Sequence, residues 1–110
     1  MSDKPQKERS EVPEPAAVVN GGVRIEALPW GKARGLGQNG GYIAAYDPVT
    51  DSEVWILKVY EVVYDGQRES DKQDLFIEDL VLEPSGLLRV TDERGGVHRV
   101  DLQQRTVVAA

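Results

Sequence analysis

Cysteine is missing from this chain of 110 residues, which excludes structural disulfides, thiolate metal centres and cysteine nucleophiles and suits a reducing compartment. An excess of basic residues is also missing. The formal net charge is −6 and the isoelectric point about 4.7, a balance that disfavours a broad phosphate-binding surface and hence nucleic acid. Histidine occurs once, at His98. By alternation it shares a face with Val100 and Leu102, and the sequence identifies none of the partners that a catalytic imidazole needs. The first twenty residues, MSDKPQKERSEVPEPAAVVN, lack a continuous apolar core, so they resemble neither a secretory signal nor a membrane anchor, and the expected location is cytoplasmic. No window carries a sustained helical period.

What is present is a succession of strand-like runs between turn signals. Residues 1–20 are polar, mixed in charge and broken by Pro5, Pro13 and Pro15, and read as a disordered tail ahead of a single β domain over 21–110. Val23 to Leu28 alternates as a half-buried strand. Pro29 to Gly41 is glycine-rich and reads as the longest ordered loop. Leu75 to Glu83, Leu87 to Thr91, Val97 to Leu102 and Thr106 to Val108 complete the strand-like runs, separated by Pro84-Ser85-Gly86, by Asp92 to Gly96 and by Gln103 to Arg105. The fold class expected is all-β, an antiparallel meander of about six or seven strands.

The most apolar stretch, Gly40 to Tyr64, reads as a hairpin. Its first arm, Tyr42 to Tyr46, carries only apolar side chains. The second, Glu53 to Tyr64, is apolar on both faces and therefore reads as a central strand. Within it Ala45, Asp47, Thr50 and Trp55 follow the spacing A-x-D-x-x-T-G-x-x-x-W, with Asp51 where the pattern has glycine; Asp visits the left-handed region more readily than most residues. This spacing resembles the tryptophan-docking motif of pyrroloquinoline-quinone-type β-propeller blades. The resemblance implies a blade-like sheet in which Asp47 and Thr50 close the turn and Trp55 packs between neighbouring sheets. Gly95 to Val108 echoes Gly40 to Trp55 one residue short and without the tryptophan. Two blade-like units are too few to close a propeller, which needs about four or more. The resemblance carries no cofactor ligands to this chain, and no cofactor is expected.

Trp30, Lys32 and Arg34 place an aromatic face and two cations in the glycine-rich loop. The loop lacks a third spaced glycine and a following helix, so it is not a nucleotide cradle. It reads either as a mobile linker with Trp30 folded onto the core or as a binding loop. Asp65, Glu69, Asp71 and Asp74 lack the spacing of a calcium loop and read as a solvated acidic run, so no metal site is expected. Tyr42, Tyr46, Tyr60 and Tyr64 alternate in phase and read as cross-strand packing. The functional expectation is a non-enzymatic β-sheet interaction or scaffold module with a protein partner, its oligomeric state open. The alternative is a small-molecule or anion-binding domain using Trp30, Lys32 and Arg34.

Overall fold

A computed structural model of the chain describes residues 12–64 and 74–109. Eight strands form two open antiparallel sheets. The first contains β1 (Val18–Asn20), β2 (Val23–Leu28), β3 (Tyr42–Tyr46) and β4 (Glu53–Lys58); the second contains β5 (Ile77–Leu82), β6 (Leu88–Asp92), β7 (Val97–Asp101) and β8 (Thr106–Val108). Each sheet runs in sequence order. The expected meander thus holds within each sheet, but there are two sheets and eight strands rather than one run of six or seven.

The additional strand is β1, which lies inside the segment assigned to the tail. Asn20-Gly21-Gly22 makes the turn: both glycines have positive φ, 61° and 81°, and two residues join Asn20 to its partner Val23. That is the backbone a two-residue hairpin requires, and glycine adopts it without steric cost. Residues 1–11 of the assigned tail lie outside the described residues.

The chain leaves the first sheet after Lys58 because other groups take the backbone hydrogen bonds a longer strand would have given a neighbour. The Val59 N–H donates to Gly41 O at 2.7 Å. The buried Gln38 side chain then donates from Nε2 to Tyr60 O at 2.8 Å and accepts from the Val62 N–H at 2.9 Å. The strand expected from Glu53 to Tyr64 accordingly stops at Lys58. It is an edge strand, not a central one, and the strand buried on both faces is β3, where Tyr42, Ile43, Ala44 and Ala45 are all buried.

Alternation divides the residues between faces. Ile25, Ile43 and Ala45 of the first sheet meet Leu80, Leu88, Val90 and Val100 of the second, with Ile77 and Val59 completing the core and Trp55 and Leu57 packed at its border. Burial of each large aliphatic side chain stabilises by about 1.5–3 kcal/mol. β5 makes contact with both β1 and β2, so these two inner edges sit beside one another. At the opposite end, the Arg105 guanidinium lies 6.0 Å from the Trp55 ring, bringing the β7–β8 turn against β4.

The two chain reversals at that end are built alike. Asp47 Oδ1 accepts from the N–H groups of Val49 and Thr50 at 2.8 and 3.3 Å; Asp101 Oδ1 accepts from those of Gln103 and Gln104 at 3.0 and 3.1 Å. Four residues after each aspartate the backbone turns left-handed, at Asp51 (φ 62°) and Arg105 (φ 55°). Thr50 Oγ1 accepts from the Ser52 N–H, closing the first turn as expected. No helix among the described residues is long and apolar enough to cross a membrane.

Candidate functional site

The glycine-rich loop is ordered by its own packing. A short 3-10 helix over Gly31–Arg34 ends at Gly35 (φ 83°), and the Gly31 N–H donates to Asn39 O at 3.0 Å across the loop's base. A Cβ on Gly31 would stand 2.3 Å from Gln38 O and 2.7 Å from the Tyr42 ring; one on Gly40 would stand 2.3 Å from Leu75 O. These glycines therefore serve close approach of backbone to backbone and to a ring. The loop lies over the outer face of the first sheet and covers Tyr42, which explains why β3 is buried on both sides.

The three side chains proposed as a binding site do not converge. Trp30, 39% exposed, meets Phe76 edge to face with ring centroids 5.4 Å apart. Lys32 sets its Nζ 4.1 Å from the centre of the Tyr64 ring. Arg34 forms a two-pronged pair with Glu53, donating from both terminal nitrogens at 2.7 and 2.9 Å. That bonding raises the Arg34 pKa and lowers that of Glu53. Each cation thus faces a group of the protein itself. Ala45 is fully buried and Trp55 half-buried, in keeping with structural roles, and Asp47 and Thr50 close their turn.

Two polar nodes escaped the sequence reading. In the first, Asp74 accepts from Asn39 Nδ2 at 3.0 Å and from the Tyr64 hydroxyl at 2.5 Å and is 7% exposed. Asp74 was expected in a solvated acidic run and is instead a buried anchor; Asp65, Glu69 and Asp71 of that run lie outside the described residues. Burial, then the Asp74 hydrogen bond, pushes the Tyr64 hydroxyl up to about 12. In the second node, His98 Nε2 lies 2.9 Å from Asp92 Oδ2, and the His98 ring stacks on Tyr60 at 4.7 Å. Burial works against the Asp92 carboxylate, yet hydrogen bonds from His98 and from the N–H groups of Gly96 and Arg94 outweigh it and hold its pKa low. Burial raises the Tyr60 pKa, and its hydroxyl donates to Leu75 O at 2.6 Å. This Asp–His–Tyr set ties β6 and β7 to the segment that follows β4. The tyrosines form no common face: Tyr42 lies under the loop, Tyr46 under Arg24, Tyr60 on His98 and Tyr64 under Lys32.

No cluster of three or more metal-ligating side chains occurs among the described residues. No family model matches the chain, and neither a curated protein nor a solved structure matches it.

The sheet edges β4, β5 and β8 differ in chemistry, while β1, also uncharged and in regular register, differs from β8 by lying beside β5. β1 and β5 lie beside one another, and β5 carries Glu78 and Asp79 at a register shift between Ile77 and Asp79. β4 has a register shift beside it and charged ends, Glu53 bound to Arg34 and Lys58 to Glu61 at 2.7 Å. Bulges and edge charges are the usual guards against strand addition. β8 reads Thr106-Val107-Val108, holds no charge, pairs in regular register with β7 and is exposed along its whole length. Beside it is a shallow concavity lined by Val97, His98, Arg99, Val107, Val108 and Ala109, whose three valines are 40–49% exposed.

Proposed function

We propose that the chain is a non-enzymatic β-sheet interaction module of the cytoplasm that recognises extended protein segments at the free edge of β8. The observation that carries this reading is the contrast among edges: β8 alone among the described strands combines full exposure with a neutral, β-branched sequence and no register shift. An added strand gains backbone hydrogen bonds from such an edge and side-chain contacts from the flanking concavity. The two sequential four-stranded sheets, with their matching aspartate turns, also favour kinship with propeller blades. The loop already lies on the outer face of the first sheet, so a further blade stacked there would have to displace it.

The reading is tested by retaining partners on immobilised protein and comparing Val107→Lys with the double variant Lys32→Ala and Arg34→Ala. The edge variant is expected to lose the partner and the loop variant to keep it. The reverse pattern would return the site to the loop and favour an anion-binding domain.

A further inference from the structure

We infer that the β8 edge is self-complementary and pairs with β8 of a second copy of this chain, joining two second sheets into one continuous eight-stranded sheet across a two-fold axis. The inference rests on the edge-recognition reading above and names the occupant. A two-fold interface must satisfy itself, each residue meeting its partner in both directions. Antiparallel pairing centred on Val107 does so: Val107 faces Val107 of the second copy, Thr106 faces Val108, and Arg105 faces Ala109. No like charges stand opposite, whereas directly opposed like charges are what disfavours strand pairing. At a net charge of −6 the copies repel one another overall. The β7–β8 hairpin brings little net charge face to face, because Arg99 is paired with Glu83 and Arg105 is offset by the carboxylate Asp101 in the same turn.

Burial supports the same register. Val97 and Val108 are exposed on the outer face of the second sheet, at 49% and 42%, and Val107 on the inner face at 40%. Pairing at β8 sets a new neighbour beside Val107 and Val108 without moving the core, while Val97, one strand further in on β7, gains none. Self-pairing at β4 would have to proceed past the Arg34–Glu53 and Lys58–Glu61 pairs, and at β5 past Glu78 and Asp79 beside β1. A three-residue strand supplies few backbone bonds, so the association is concentration-dependent.

The absence of native cysteine provides a direct test. In an antiparallel pair, residues directly opposite bring their Cα atoms to about 4.5–5.5 Å, within disulfide reach. Full-length Val107→Cys should therefore oxidise rapidly to a covalent dimer of twice the 12.1 kDa chain, while Val49→Cys, at a 91% exposed turn position, should cross-link at least tenfold more slowly. Sedimentation of the unmodified protein from about 10 µM to about 1 mM should show its mass rising towards the dimer, with Val107→Lys remaining monomeric. Mixing Val107→Lys with Val107→Glu should restore a dimer. Equal cross-linking at both cysteine positions, a dimer indifferent to Val107→Lys, or unmixed and mixed variants that stay equally monomeric would each overturn the inference. If the protein remains monomeric while Val107→Lys still abolishes retention of a foreign strand, self-pairing fails and edge recognition stands. Dimerisation through β8 with no foreign partner keeps the inference on its own.

Discussion

The two sheets have the same strand number and order, yet they are covered differently. In the first, the strand β3 is enclosed on both faces, by the shared core on one side and by the glycine-rich loop on the other, so Tyr42 and Ala44 are buried along with Ile43 and Ala45, while Val19 and Val54 on neighbouring strands stay exposed. The second keeps a solvated outer face, where Glu83 bonds Arg99 at 2.9 and 3.1 Å and lies 3.6 Å from Arg89. Enclosure costs the first sheet adaptability, since side chains from the loop occupy its surface. The open sheet retains a free edge, and that difference is why recognition is placed at β8.

The difference can be broken most directly by detaching the cover. Gln38→Ala leaves the Val62 N–H and the Gly40 and Tyr60 carbonyls without their partner, and a loss of about 3 kcal/mol is expected in chemical denaturation. Gly40→Ala, which drives a Cβ onto Leu75 O, should cost a similar amount, about 3 kcal/mol. Near-native stability in either protein would show that the loop is not a structural cover. Trp55→Ala, at the border where β4 meets Arg105, is expected to cost about 2 kcal/mol by the same measurement, because the side chain is only half-buried.

Smaller effects separate the sheets by pH. Asp92, Glu53 and Glu83 have depressed pKa values in the folded protein. Their contribution is complete above the unfolded values, near ~4 for carboxylates, and is lost as pH falls through the lower folded values. Thermal melts should therefore hold level down to about pH 5 and decline below it, and Asp92→Asn should flatten part of that decline. A decline that Asp92→Asn leaves intact would remove the Asp92 node as its source. Smallest of all, Arg89→Ala on the solvated face should change stability by less than about 1 kcal/mol in a denaturant titration.

Much of the strand pattern was legible because alternation survives in short strands: β2, β3 and β8 occupy the expected residues, and the Asp47 turn follows from its spacing. β1 was missed although Asn20-Gly21-Gly22 is a hairpin signal, because the neighbouring prolines and charges dominated its composition. The division into two sheets was hidden in one side chain. Gln38 redirects the chain after Lys58, and no periodicity in Val59 to Tyr64 distinguishes apolar residues that continue a strand from apolar residues packed around a buried amide. The contacts of the charged loop were not legible either, since Lys32 and Arg34 meet Tyr64 and Glu53 from distant parts of the sequence. The Asp92–His98 pair had a legible half, the Asp-x-x-Gly turn, but its histidine partner lies on the next strand.

Amide hydrogen exchange at low and high protein concentration tests the placement of recognition at β8 most directly. The account predicts that the β8 amides pointing to the free edge slow as concentration rises while those of β4 and of residues 29–41 do not change. Unchanged exchange along β8 with slowing in residues 29–41 would contradict it.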